Sequence, residues 1–106
     1  MSWKIEYIKE SEKDLLRLDY SQRLHVIKAI QKVSINPVSN VDGGYGKPLG
    51  NKSGTNLSGY YKIKLLKLGI RVVYRLEIED KIMKIIVISI RDDDAVYKIA
   101  DKRIKF

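Results

Sequence analysis

Cysteine is absent from this chain of 106 residues. That excludes a disulfide framework, a thiolate nucleophile and any zinc or iron–sulfur site built on sulfur. Histidine is almost absent too. His25 is the single example, and a lone histidine inside a helical pattern reads as a structural or surface residue before a catalytic one. Without cysteine, a metal site would need carboxylates with that histidine. The only dense acidic run, Asp92-Asp93-Asp94, lies where a helix should begin and reads most simply as a cap and helix-dipole partner. No metal and no other cofactor is expected. The Gly43-Gly44-Tyr45-Gly46 run has neither the spacing nor the following Lys-Ser/Thr of a phosphate-binding loop. No serine sits in a nucleophile-elbow motif. No apolar run reaches the ~18 residues needed to span a bilayer. The N-terminus, Met1-Ser2-Trp3-Lys4-Ile5-Glu6, is charged early and lacks a signal-peptide core. The expected location is the cytoplasm, with no membrane partner.

Positive charge is what the chain does have. It carries 21 Lys+Arg against 13 Asp+Glu, a formal net charge of +8. Such a balance favours a polyanionic partner. Apolar residues make up 44%, enough to drive folding. The length suits one domain spanning residues 1–106 around a single core.

The hydrophobic pattern changes period along the chain. Trp3 to Ile8 alternates as a first strand. Ser11 starts a helical pattern containing Leu15, Leu16 and Leu18, with Asp14 placed for a near capping box. Ser21 reads as a second N-cap. Val26, Ala29, Ile30 and Val33 then share one helix face, and Asn36-Pro37 ends the helix. Two antiparallel helices meeting near Asp19-Tyr20 make a helical hairpin. Val38 to Gly59 is expected to be one long irregular loop, pinned in its middle by Lys47-Pro48-Leu49. Strands are expected over Gly59–Leu66, Gly69–Glu77 and Lys81–Ile90, with the last packed on both faces. A short helix over Asp93–Arg103 ends the chain. The order β-α-α-β-β-β-α predicts an α+β fold, an antiparallel sheet packed against an N-terminal helical hairpin with a short C-terminal helix.

The chemistry concentrates in one β-hairpin, Tyr61-Lys62-Ile63-Lys64-Leu65 followed by Gly69-Ile70-Arg71-Val72-Val73-Tyr74. Alternation turns Ile63, Leu65, Ile70 and Val72 to a core and Lys62, Lys64 and Arg71 to the other face. A short turn at Lys67-Leu68 sets Lys64 directly across from Arg71. Like charges facing each other across strands are destabilising, so an anion is expected between them, and an RNA phosphate fits. Lys67 in the turn and Arg75 farther along complete the expected RNA-binding set with Lys62, Lys64 and Arg71. Arg91 ends the last strand, and Tyr97 follows six positions later in the terminal helix. A helix folded back beside the sheet brings Tyr97 to the cationic face.

Such a cluster suits RNA cleavage. RNA carries its own nucleophile, the 2′-OH, next to the scissile phosphate. The protein needs only to align it, remove its proton, stabilise the dianionic intermediate and protonate the departing 5′-oxygen. Fixed Lys and Arg groups stabilise the developing charge. A tyrosine among cations favours its phenolate and can act as general base. Metal is unnecessary on this route, and DNA, lacking the 2′-OH, is excluded.

The hairpin, Val87-Ile88-Ser89-Ile90-Arg91 and Val96-Tyr97-Lys98 together resemble the bacterial RelE toxins of the RelE/ParE superfamily, the toxins of type II toxin–antitoxin systems. The resemblance covers nearly the whole chain and implies a RelE-like fold. It also implies an endoribonuclease that cuts mRNA in the ribosomal A site, inhibiting translation and growth. By that resemblance the catalytic set is Lys62, Lys64, Arg71, Arg91 and Tyr97. Tyr97 would be the general base and Arg91 the proton donor or leaving-group stabiliser. Lys62, Lys64 and Arg71 would hold the phosphate, with a lysine as alternative base. The implied partner is a small, acidic, partly disordered antitoxin. Promoter DNA would be bound only through the antitoxin complex. One departure stands out. Family members commonly carry a glycine and a basic residue before the arginine, whereas here Ile90 leads directly into Arg91 and three aspartates follow. Those acids would either weaken phosphate binding or hold the arginine without substrate. Two other readings stay open from the residues: a gyrase-directed ParE-like toxin of the same fold, and a basic RNA- or ribosome-binding module without chemistry.

Overall fold

The computed structural model describes residues 2–52 and 54–104. Met1 of the N-terminal reading and Ser53 of the expected loop lie outside them. The element order is β1 (Lys4–Tyr7), α1 (Lys9–Arg17), α2 (Tyr20–Ser34), β2 (Lys47–Lys52), β3 (Thr55–Leu65), β4 (Ile70–Glu77), β5 (Ile82–Ser89) and α3 (Asp93–Ile104). The strands form one sheet in the order β1-β5-β4-β3-β2.

The α+β architecture and the N-terminal helical hairpin are as the pattern predicts. The sheet, however, is mixed. β1 runs parallel to β5, with Lys4 opposite Ile82 and Tyr7 opposite Ile85. The reason lies in the apolar residues on both faces of β5. They make it an inner strand that needs a neighbour on each side, and the helical hairpin after β1 leaves that strand free to fill the open edge.

Strand alternation divides the apolar residues between two layers. Ile70, Val72, Tyr74, Met83, Ile85 and Ile88 face the helical hairpin and pack on Leu18, Val26, Ile30 and Val33. Val73, Ile86 and Val87 face the other way and pack with Leu49, Leu57 and the α3 residues Val96, Tyr97 and Ala100. The terminal helix therefore covers the sheet face that carries Lys62, Lys64 and Arg71.

Three local expectations are corrected. Ser11 and Asp14 do not cap a helix. α1 begins two residues earlier with Ile8 as its N-cap and no side-chain cap bond. Both polar residues are buried and serve tertiary contacts instead. The Ser11 hydroxyl donates to Ile85 O at 2.8 Å, and the Asp14 carboxylate accepts from Ile88 N at 3.0 Å. Ser21 is not the second cap either. Asp19 caps α2, because its spacing to Gln22 allows a complete capping box. Finally, the expected loop over Val38–Gly59 holds a strand, β2, and the beginning of β3. These pair as an antiparallel hairpin with an irregularity between Pro48 and Gly50. An edge position tolerates Pro48, which has no N–H to donate, and Leu49 is buried beneath α3.

The glycine run has a packing role at Gly46. A Cβ there would meet Pro37 O and the Tyr74 hydroxyl at 2.7 Å each. Its absence lets the buried Tyr74 hydroxyl donate to Pro37 O at 2.9 Å. That bond ties the segment after α2 to the sheet. Among the described residues no helix is long and apolar enough to cross a membrane.

Candidate anion and nucleic-acid site

The hairpin register matches the alternation argument. Leu65 pairs with Ile70, Lys64 with Arg71 and Lys62 with Val73. The turn between the strands closes through Leu68 N to Leu65 O at 3.1 Å. It uses Gly69 at φ +66°, a backbone conformation that favours glycine. Lys64 and Arg71 thus stand side by side on the α3 face, each side chain about a quarter exposed.

An anion does lie between them, and it comes from the chain itself. Asp93, the first residue of α3, accepts from Lys64 Nζ at 2.9 Å through Oδ2. Its other oxygen, Oδ1, accepts from Arg71 Nε. Burial alone would raise the Asp93 carboxyl, but the hydrogen bonds and positive charge of Lys64 and Arg71 outweigh it. The result is a carboxyl held below its ordinary value. Arg71 also donates from Nη1 to Arg91 O at 2.9 Å, so one guanidinium holds both the end of β5 and the start of α3.

Tyr97 lies one helical turn along α3. Its ring is 4% exposed, and Lys62 Nζ donates to its hydroxyl oxygen at 3.2 Å. The ammonium is also 5.9 Å from the centre of that ring. Lys62, Lys64, Arg71 and Tyr97 are therefore brought together around the first half of α3. Arg91 is fixed by its backbone, with Arg91 N donating to Ser89 Oγ at 3.1 Å. Its side chain is exposed and borders a cavity of about 330 Å³ shared with Asp94, Lys98 and Lys102.

The remaining predicted residues lie apart from this cluster. Lys67 is exposed in the hairpin turn, beside Leu66, Leu68 and the exposed His25. Arg75 lies four positions beyond Arg71 on β4, roughly 13 Å away at the usual strand rise. It pairs with Lys84 across the sheet. Glu77 accepts from Arg75 Nη2 at 3.2 Å and from Lys84 Nζ at 3.3 Å, so this second pair of cations has its own bridging carboxylate.

The acidic run divides its work. Asp92 caps α3 by accepting from Ala95 N at 2.9 Å, and Asp94 pairs with Lys98 at 3.1 Å. Asp93 is the residue that sequence reasoning missed, because the aspartates were set against Arg91 and not Arg71. The available signal was the facing pair of cations, which calls for a nearby carboxylate once a helix returns over that face. A second missed contact fastens the other end of α3. Arg103 donates to both oxygens of the buried Asp14, at 2.6 and 3.1 Å, and to Ile86 O at 2.9 Å.

No protein-family model and no curated protein matches the chain. Solved structures do. The free E. coli RelE toxin carrying two arginine-to-alanine substitutions aligns with a TM-score of 0.74 at 24% identity. That match covers 98% of this chain and 99% of RelE. The Mycobacterium tuberculosis RelBE2 toxin–antitoxin complex gives 0.69 at 20% identity, over 88% of this chain and 95% of that one. The archaeal RelE–RelB complex from Pyrococcus horikoshii gives 0.61 at 20% identity, over 84% and 94%. Helical hairpin, mixed sheet and returning terminal helix together make this the fold of the RelE toxins.

Proposed function

We propose that the chain is the toxin of a toxin–antitoxin pair, an endoribonuclease that cleaves mRNA on the ribosome in the cytoplasm. The observation that carries this reading is the convergence, on a RelE fold, of Lys62, Lys64 and Arg71 with the Tyr97 hydroxyl held against Lys62. Lys64 and Arg71 already bind a pair of carboxylate oxygens, so a phosphodiester with two non-bridging oxygens suits the same donors. As the 2′-oxygen attacks phosphorus, Tyr97 takes its proton and the two cations hold the charge gathering on the phosphoryl oxygens. The Lys62 ammonium stabilises negative charge on the phenol oxygen. Arg91 stabilises the departing 5′-oxygen. The P–O5′ bond breaks as the P–O2′ bond forms, and the departing 5′-oxygen takes a proton from water, leaving a 2′,3′-cyclic phosphate and a 5′-OH.

Neighbours solved as RelE–RelB complexes support an antitoxin partner. The test is to map RNA ends after brief expression in growing cells. Wild type should produce new 5′-OH ends within translated mRNA and stop growth. Arg71→Ala and Tyr97→Phe should each lower cleavage by about a hundredfold or more, within the range for losing a charge-stabilising or acid–base group. Undiminished cleavage in both variants would remove this mechanism. Intact mRNA with inhibited supercoiling would point to a gyrase-directed toxin instead.

A further inference from the structure

We propose that Asp93 is a built-in competitor for the phosphodiester, so that the anion site is closed by the chain itself until RNA displaces the carboxylate and frees the start of α3. The proposal rests on the reading of Lys64 and Arg71 as a phosphate site. Three observations carry it.

The first is occupancy. The two Asp93 oxygens are divided between the two cations, one to Lys64 and one to Arg71. The phosphate of the proposed substrate needs those same donors, so phosphate and carboxylate cannot both have them.

The second is detachability. The other facing pair of cations, Arg75 and Lys84, is bridged by Glu77, which belongs to β4 itself, so its backbone is held in the sheet beside the cations it bridges. Asp93 belongs to a helix laid over the sheet. Withdrawing it needs only movement of the N-terminal part of the helix, from Asp93 through Tyr97. The far end of α3 stays fastened by Arg103 and Asp14.

The third is linkage to Tyr97. It lies four residues after Asp93, one turn along the same helix, and is buried against the sheet. A shift that removes Asp93 from the cations carries the tyrosine with it. Closure of the anion site and burial of the proposed base are then one state, and opening relieves both. Any affinity for RNA is lowered by the fraction of molecules that are closed.

The experiment measures binding of a fluorescent RNA dodecamer with 2′-O-methyl sugars, which cannot be cleaved by 2′-OH attack. Asp93→Asn and Asp93→Ala should bind about fivefold or more tightly than wild type, the low end of ordinary coupling between sites. Asp94→Asn removes the same charge one residue later from a surface pair with Lys98 and should shift affinity less than twofold. Hydrogen exchange supplies the second readout. RNA should speed exchange of the amides over 95–97 in wild type, while Asp93→Ala should exchange fast there without RNA and show no further gain. Unchanged or weaker binding in both Asp93 variants, or RNA-induced protection of those amides in wild type, overturns the proposal. Lys64→Ala and Arg71→Ala separate the two ideas. If they weaken binding while the Asp93 variants match wild type, the phosphate site stands and the internal competitor is wrong. If they leave binding unchanged, the phosphate site itself is wrong.

Discussion

Asp93 resolves the oddity of the hairpin at the level of one side chain. Lys64 directly opposite Arg71 would repel across the strands, and the carboxylate between them converts repulsion into two charge-assisted contacts. A carboxyl held below its ordinary value of 3.8 contributes stability at neutral pH that is lost as pH falls through the lowered folded-state value. The sign therefore distinguishes wild type from Asp93→Asn. In urea unfolding, wild type should be the more stable at pH 7, with a constant margin down to about pH 5. The margin should shrink below pH 4 and close as Asp93 protonates. The groups facing it are Lys64 of β3 and Arg71 of β4, both charged throughout that range. A margin independent of pH would mean that the carboxylate charge is not what holds α3.

At the scale of elements, strand alternation was enough to place Lys62, Lys64 and Arg71 on one face and to set Lys64 across from Arg71. Periodicity likewise marked Val26, Ile30 and Val33 as the buried face of α2. Contacts with long chain separation were not legible. The parallel pairing of β1 with β5 joins residues 78 apart, as in Lys4 with Ile82, and no local signal encodes it. Ser11 and Asp14 resemble cap residues by spacing alone, yet burial against β5 and Arg103 claims both. A cap expectation weighs only neighbours in sequence, and Asp14 meets Arg103 across 89 residues.

That last pair sets a prediction for α3 as a unit. Asp14 is 7% exposed, and removing Arg103 leaves it only the longer pair with the exposed Arg17, at 3.8 Å, and the Ile88 N–H, a loss of about 3 kcal/mol. Arg103→Met should lower the urea-derived stability by about that much and speed amide exchange along the C-terminal half of α3. Loss of stability without faster exchange in the helix would show that the pair fastens α1 to β5 rather than α3 to the body.

At the scale of the whole molecule, the surplus of 21 cations over 13 acids is spent unevenly. Glu77 and Asp14 absorb charge at one end of α3. The end near Asp93 gathers Lys62, Lys64, Arg71 and Arg91, with Lys98 and Lys102 bordering the same cavity as Arg91. A strand of RNA seated at this end releases the counterions its phosphates held, about 0.7 per contact for single strands. Four contacts, from Lys62, Lys64, Arg71 and Arg91, predict a slope of about −3 in log affinity against log salt. Raising salt from about 50 to 200 mM should then weaken binding about fiftyfold. If Lys67 and Arg75 also reach phosphates, the slope steepens to about −4. Alanine substitutions at those two positions, titrated against the same 2′-O-methyl RNA, tell the footprints apart. Each should flatten the slope by about 0.7 if its side chain meets a phosphate and leave it unchanged otherwise. A wild-type slope shallower than about −1 would mean that the cations around α3 do not meet the RNA backbone, and the electrostatic basis for a nuclease at this face would be lost.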